Sequence, residues 1–104
     1  MTTTIMIREN VTLDFNDITL TGAIAYQPTT GLMTLISEEG DEDDLTVDLT
    51  AYGYLPEPGE AFVPDYSEHT GLPKALKDAG VAEVLETITF GPFTTTAARM
   101  ALSL

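Results

Sequence analysis

The sequence predicts an α+β fold in which a small antiparallel β-sheet of about five to six strands carries one short helix packed on it. Apolar and polar residues alternate with a period of two over much of the first 50 residues, which is typical of half-buried strands. One helical spacing of apolar residues follows near residue 75. With 104 residues and 43% hydrophobic content, the chain is predicted to form a single domain, residues 1–104.

The first two predicted strands form a hairpin. Apolar residues alternate with polar ones over residues 11–15, and the pattern resumes over residues 18–26. Residues 16–17, Asn and Asp, supply the chemistry of a two-residue turn between them. Gly22, inside the second strand, is typical of a bend or bulge.

Two further strands extend this hairpin into a predicted four-stranded antiparallel meander. Residues 32–37 form a short apolar run that fits a strand. Residues 45–50 alternate apolar Leu and Val with Thr and Asp, which predicts the fourth strand. The residues between them, 38–44, are predicted to be an acidic connecting loop.

The one clear helix begins near residue 71. Its apolar residues fall at i, i+3, i+4 and i+7: Leu72, Ala75, Leu76 and Ala79. Thr70 is predicted to be the N-cap, Pro73 lies in the first turn, and Gly80 stands where a helix-terminating residue belongs. A helix of about ten residues is therefore expected, with Lys74, Lys77 and Asp78 on its outer face.

The segments before and after this helix are predicted to be a loop and further strands. Residues 52–60 contain two glycines and two prolines and are predicted to be a loop, and residues 61–63 a brief extended piece. Residues 84–90 predict a strand, followed by a Gly-Pro turn at 91–92. For residues 93–104 both a final strand and a short helix are open, and the strand is favoured because residues 94–96 are β-branched threonines.

Charge is the extreme feature of the composition. Asp and Glu number 17 against four Lys and Arg, for a net charge of -13, and no cation stands between Arg8 and Lys74. A surface built from that stretch presents a negative field. Direct binding to nucleic acid or to an anionic membrane is not expected, because both require Lys or Arg. Basic surfaces are the expected partners.

The sequence lacks the features of disulfide-bonded, secreted and membrane-spanning proteins. There is no cysteine, so disulfides and thiolate metal sites are excluded. Residues 1–10 do not resemble a signal peptide, and no run approaches the roughly 18 apolar residues of a membrane span. A cytoplasmic protein is expected, with no cofactor and no metal.

The acidic segment, residues 38–44, is the main candidate for a binding site. It holds six carboxylates in seven residues, which span about 23 Å if extended. One charge per ~4 Å is comparable to the phosphates of one DNA strand. The alternative is a solvated hairpin loop whose charges keep a sheet edge soluble. A calcium loop fits poorly, because Gly40 precedes most of the acids and no acidic residue follows at the twelfth position.

Residues 65–69 place a hydroxyl, an imidazole and carboxylates side by side. Catalytic groups come from separate segments that the fold brings together, and this chain has one histidine and no nucleophile or phosphate-loop motif. We therefore predict no enzymatic activity and interpret this pentapeptide as a turn in which Asp65 and Ser67 bond backbone amides. Tyr52, Tyr54 and Tyr66 are open to two interpretations, interface anchors or partly buried core residues.

Residues 58–81 carry a resemblance to a known family. They read PGEAFVPDYSEHTGLPKALKDAGV, which is similar to the pattern G-E-x-F-V-K-D/N-Y-S-E-N-x-G-x-x-x-A-L-x-x-A-G of an uncharacterised family of small acidic proteins. Its members occur on plasmids, conjugative elements and phages. Pro64 stands where the family often has lysine, and His69 where it has asparagine. The resemblance covers about a quarter of the chain and implies a mobile-element context, in which small acidic proteins often inhibit host DNA-targeting defences.

Together these observations predict a non-enzymatic acidic protein of a phage or mobile element that mimics DNA. It would inhibit a CRISPR effector or restriction enzyme by occupying that protein's basic nucleic-acid-binding surface. The residues expected to bind are Glu38, Glu39, Asp41, Glu42, Asp43 and Asp44, with Asp48, Glu57, Glu60, Asp65 and Glu68 as secondary candidates. The alternatives are an accessory protein-interaction domain that binds through the helix and the Tyr66 segment, and a weak divalent-cation-binding module. The oligomeric state stays open.

Overall fold

The first sheet is a four-stranded antiparallel meander, as predicted, but its fourth strand is not the predicted one. The computed structural model of the protein describes residues 5–103. Strands β1 (Met6–Phe15), β2 (Ile18–Gln27), β3 (Leu32–Ile36) and β4 (Glu42–Asp44) pair antiparallel in that order. The period-2 alternation and the two-residue turn therefore predicted the first hairpin correctly.

A second antiparallel sheet carries the rest of the chain. Strands β5 (Glu60–Pro64), β6 (Ala82–Phe90) and β7 (Thr95–Leu102) lie in the order β5, β7, β6. Helix α1 (Leu72–Asp78) connects β5 to β6. The predicted α+β class is confirmed, with seven strands in two sheets across residues 5–103. The predicted final strand is also confirmed, while Leu104 and residues 1–4 lie outside the described residues.

The prediction for the fourth strand was wrong in position. β4 is formed by the last three residues of the acidic segment, and residues 45–49 belong to no strand. The Leu45 amide donates to the Met33 carbonyl of the first sheet at 2.9 Å, and the Val47 amide to the Phe62 carbonyl of the second at 3.0 Å. Residues 45–49 therefore cross between the sheets, and their alternation reflects burial in two separate apolar clusters.

Gly22 does not form the predicted bulge, which lies in the partner strand. The β1–β2 register shifts between Arg8 and Val11, where Asn10 has a φ of 58°, and Val11 pairs with Gly22. A Cβ at Gly22 would lie 2.1 Å from the Ile36 carbonyl oxygen. The glycine is therefore needed because the backbone of β3 approaches it too closely for any side chain.

Helix α1 ends as predicted but begins differently. The amides of Gly80 and Val81 donate to the carbonyls of Lys77 and Leu76, both at 3.0 Å, which is a Schellman motif with Gly80 in the left-handed region. The predicted N-cap Thr70 was wrong. Gly71 is the N-cap, and the Thr70 hydroxyl instead donates to the Ser67 carbonyl within a 3₁₀ turn.

The main apolar core lies between the first sheet, the second sheet and the helix. It includes Leu13 and Ile24 from the first sheet, Val63 and Met100 from the second, and Leu76 from α1, all almost fully buried. Side chains from both sheets and the helix thus share one cluster. No helix within residues 5–103 is long and apolar enough to cross a membrane.

Tyr26 links the two sheets, because its buried hydroxyl donates to the Glu60 carbonyl at 2.8 Å. Burial raises the pKa of this phenol, so it stays a neutral donor. We expect Tyr26→Phe to lower the free energy of unfolding by about 1 kcal/mol, because a partly buried carbonyl loses its partner. Chemical denaturation measures this. Tyr54→Phe, at a partly exposed tyrosine, is the control, and an equal loss in both variants would contradict the assignment.

Candidate functional site

The acidic segment forms the turn between β3 and β4 and then β4 itself. The Gly40 amide donates to the Ser37 carbonyl at 3.0 Å, and the Ser37 amide to the Asp41 carbonyl at 2.9 Å. The Asp41 amide also donates to the Ser37 hydroxyl oxygen at 3.1 Å. This turn places Glu38 and Glu39 at its tip. All six carboxylates of the segment belong to exposed residues.

The three carboxylates of β4 lie on both faces of the sheet edge. Asp43 pairs with Leu35, which is buried, while Glu42 and Asp44 pair with Ile36 and Thr34. Since directly opposed residues of an antiparallel pair share a face, Asp43 lies on the core face and the other two on the outer face. Three residues is very short for a strand, and an edge strand that is short and fully charged resists pairing with other chains.

Cations do not neutralise the acidic segment. Within residues 5–103 the ion pairs join Lys74 to Asp78 at 2.6 Å, and Arg99 to Glu60 and Glu86 at 2.7 and 2.8 Å. Arg8 instead donates to the carbonyls of Gly80 and Ser103, beyond the end of the helix. The acidic segment therefore keeps its full negative field toward solvent.

One secondary candidate, Glu68, joins β4 at a shared groove of about 340 Å³. Its apolar wall is contributed by Phe15, Ile18, Leu20 and Leu45. Its polar wall is contributed by Glu42, Asp43, Asp44, Glu68 and His69. We name this the carboxylate groove. It forms because the chain segment between β5 and α1 returns beside the tip of the β1–β2 hairpin.

The other secondary candidates lie elsewhere or are already engaged. Glu60 accepts two hydrogen bonds from one Arg99 nitrogen at 2.8 and 2.7 Å, and its side chain is only 15% exposed. Asp65 accepts the Gly71 amide at 2.7 Å, which holds the start of α1. Glu57 is exposed and its carbonyl accepts the Glu60 amide in a turn. Asp48 lines a separate groove of about 200 Å³.

Glu60 and Asp65 are thus bound to groups within the protein, the Arg99 guanidinium and the Gly71 amide. The hydrogen bonds that the Arg99 guanidinium donates to Glu60, and then to Glu86, raise the pKa of that guanidinium. This pairing ties β5 to β7 and β6. It leaves Glu60 less available to a partner than the carboxylates of the acidic segment.

Asp48 carries the clearest perturbed carboxyl group. The Thr50 hydroxyl donates to it at 2.5 Å and the Thr50 amide at 2.9 Å, and these two bonds lower the pKa of Asp48. A lowered pKa in the folded state adds stability above the unfolded-state value, which is lost as pH falls through the folded-state value.

We expect Thr50→Val to raise the pKa of Asp48 toward its ordinary value, because the stronger of the two donors is removed. A carboxyl ¹³C NMR titration measures the change. Thr87→Val, at an exposed threonine of β6, is the control and should leave the Asp48 pKa in place. If the Asp48 pKa is unchanged in Thr50→Val, the hydrogen bond from the Thr50 backbone amide alone is sufficient to lower that pKa.

The sequence reasoning missed an aromatic patch around the turn that joins β6 and β7. The Phe90 ring centroid lies 5.1 Å from that of Tyr52 and 6.0 Å from that of Tyr66. Phe93, in the turn, is 89% exposed. A Phe beside a Gly-Pro turn was the available signal, since turns normally carry polar residues. Tyr52 and Tyr66 are thus partly packed and partly exposed.

The groove's apolar wall was also missed as part of a site. Ile18 is 46% exposed immediately after the hairpin turn, although it continues the apolar alternation of β2. A position directly after a turn lies at the sheet's end, where core coverage is incomplete.

The described residues contain no set of metal ligands. Within residues 5–103, no group of three or more His, Asp or Glu side chains could hold a metal ion. The divalent-cation alternative therefore has no candidate ligand set in this part of the chain. In the 65–69 turn, the Asp65 carboxylate accepts the Gly71 amide, as predicted for that residue. The prediction for Ser67 was wrong, because its carbonyl and not its hydroxyl accepts the Thr70 amide.

Comparison of the chain with protein-family models, with curated proteins and with solved structures finds no significant match.

Proposed function

We propose that this chain is a non-enzymatic acidic binding protein of a phage or other mobile element that inhibits a host defence protein. Its target would be a CRISPR effector or a restriction enzyme in the bacterial cytoplasm. The acidic segment would occupy the basic surface with which that target binds nucleic acid. The resemblance of residues 58–81 to a family of acidic mobile-element proteins supports this context.

The observation that carries the proposal is the exposed and unneutralised charge of the acidic segment. Along β4 the carboxylates alternate between the two faces at ~3.3 Å per residue, so Glu42 and Asp44 lie about 6.6 Å apart on the outer face, roughly two phosphate spacings of a DNA strand. Glu38, Glu39 and Asp41 continue this charge around the turn. Such a row complements a groove that evolved to bind phosphates, because the same Lys and Arg side chains can contact either anion.

Electrostatic attraction would set the speed of this association and its salt dependence. Complementary fields raise the association rate well above that of uncharged surfaces and weaken as salt screens them. Selectivity among basic proteins would come from shape and from a few apolar contacts near the charged row.

Affinity capture tests the proposal. The purified protein is used as bait in nuclease-treated bacterial lysate that contains CRISPR and restriction proteins, at low and high salt. We expect recovery of a nucleic-acid-binding protein that added DNA or RNA displaces. Recovery of a partner that binds no nucleic acid would overturn the proposal.

A second candidate, an accessory protein-interaction domain of the mobile element, is favoured by the aromatic patch. Aromatic residues are enriched at the energetic centres of protein interfaces, and Phe93 and Tyr52 are 89% and 50% exposed. In that case the acidity would serve solubility only.

Substitutions separate the two candidates. If the accessory role is correct, Phe93→Ser and the pair Lys74→Glu and Lys77→Glu weaken partner capture more than neutralising the acidic segment. If the mimicry role is correct, the acidic segment dominates and these substitutions have small effects.

A further inference from the structure

The carboxylate groove combines two surface properties that are usually separate. Its apolar wall includes Ile18, which is 46% exposed, and Leu45, which is buried. Its other wall includes Glu68, and Asp43 lies on the core face of β4, toward the groove. Exposed apolar surface beside unneutralised carboxylates can bind a side chain that has an apolar stem and a positively charged end group.

We propose that this groove receives an arginine side chain of the basic partner, an inference that rests on the proposed function. The alkyl stem of the arginine would lie on Ile18 and Leu20. The guanidinium group would lie against the polar wall, between Asp43 of β4 and Glu68 of the segment that joins β5 to α1. The groove thereby supplies the partner-specific contact that a general negative field does not.

Charge complementarity selects a cationic occupant. None of the ion pairs formed within residues 5–103 involves Asp43 or Glu68, so both carboxylates are available. An inorganic cation is a poor occupant, because no three His, Asp or Glu side chains of that range are grouped closely enough to hold one. An organic cation with several donors spread over a plane can instead contact both carboxylates.

Arginine fits better than lysine for two reasons. Its guanidinium presents five N–H donors in a rigid fork that matches carboxylates, while lysine carries a compact and strongly hydrated charge. The faces of the guanidinium are weakly hydrated, so they tolerate contact with an apolar wall. The groove volume of about 340 Å³ is near the lower end of the range for ligand sites and is large enough to admit an arginine side chain.

The test is an NMR titration of the ¹⁵N-labelled whole protein with tetra-arginine and with tetra-lysine at low salt. We expect amide shifts concentrated at the groove, at Leu20, Leu45, Glu68 and His69. We also expect the arginine peptide to bind at least about threefold more tightly. Shifts spread evenly over the acidic segment, or equal affinity for both peptides, would overturn the proposal.

Two charge-neutral variants provide a matched comparison. Ile18→Thr and Leu32→Thr both replace a half-exposed strand residue, 46% and 48% exposed, by a β-branched polar one. Leu32 pairs with Gln27, at the far end of β2 from Ile18, roughly 30 Å away at ~3.3 Å per residue. We expect Ile18→Thr to weaken arginine-peptide binding about 3- to 10-fold and Leu32→Thr to change it less than about twofold. Equal effects would contradict a role for the apolar wall.

Partner binding separates failure of this inference from failure of the proposed function. If neutralising the acidic segment abolishes capture but Ile18→Thr changes neither capture nor peptide binding, the groove inference fails and mimicry stands. If tetra-arginine binds at the groove but neutralisation leaves capture unchanged, mimicry fails and the groove remains an arginine site.

Discussion

Replacing all six carboxylates of the acidic segment by their amides is expected to weaken partner binding by about 100-fold. Exposed ion pairs contribute about 0.5 kcal/mol each, so six of them amount to roughly 3 kcal/mol, or about a 100-fold loss of affinity. The fold should persist, since every substituted residue is exposed. Surface plasmon resonance against the captured partner measures the change, and a slower association rate should account for part of it. The replacements are Glu to Gln at 38, 39 and 42, and Asp to Asn at 41, 43 and 44.

A control variant with the same net charge is available in this chain. Six acids lie outside every predicted binding position, and all of them are exposed: Glu9, Asp14, Asp17, Asp78, Glu83 and Glu86. Amide replacement of these six should reduce binding far less, because their charges are not placed on the acidic segment. If both variants lose affinity equally, overall charge governs binding and the arrangement along β4 has no special role.

Gly22→Ala is expected to lower the stability of the protein substantially, although it adds only one methyl group. The new Cβ would lie 2.1 Å from the Ile36 carbonyl oxygen and 2.8 Å from its carbonyl carbon. These are backbone atoms held by the β2–β3 pairing, where the next residue, Ala23, is opposite Ile36. They cannot rotate away, so the strands must separate, at a cost of about 1–3 kcal/mol.

Thermal unfolding followed by circular dichroism tests this expectation. A loss near 2 kcal/mol lowers the Tm by roughly 10 °C in a domain of this size. Thr21→Ala, at the neighbouring exposed position, removes only a hydroxyl contact with Thr12 and is the control, expected to change stability by less than about 0.5 kcal/mol. A Gly22→Ala protein as stable as the control would show that β3 shifts without cost.

Local chemistry explains which parts of the fold were predictable. The first hairpin follows from alternation on either side of a two-residue turn, and the end of α1 follows from Gly80, which adopts the left-handed conformation that a Schellman motif needs. The start of α1 was not predictable in this way. Asp65, six residues upstream, accepts the Gly71 amide and fixes Gly71 as the N-cap residue, and no side chain caps the first turn.

The fourth strand was predicted at the wrong residues because alternation of apolar and polar residues can arise from a strand or from a segment that contacts two apolar clusters. Alternation at Leu45, Val47 and Leu49 is typical of a strand, but here it arises from a segment that passes from one apolar cluster to the other. Acidic residues have low strand propensity, so pattern alone could not predict β4 within residues 42–44. Residues 42–44 nevertheless form a strand because they pair with β3 across the turn, and this pairing outweighs their low strand propensity.

The candidate site was partly visible in the sequence. Exposure of the acidic segment follows from its composition, since unpaired carboxylates are rarely buried. The grouping of Glu68 with Asp43 depends on how the β5–α1 connection returns to the first hairpin, which no local pattern records. The engagement of Glu60 likewise depends on Arg99, 39 residues away.

Competition between this protein and nucleic acid for the captured partner tests the central proposal most directly. Labelled DNA or RNA is bound to the partner, and its apparent Kd is measured at increasing concentrations of the acidic protein. We predict complete displacement, with the apparent Kd rising in proportion to the protein concentration and the effect weakening at high salt. A ternary complex, or a Kd that does not change, would show that the acidic segment does not occupy the nucleic-acid-binding surface.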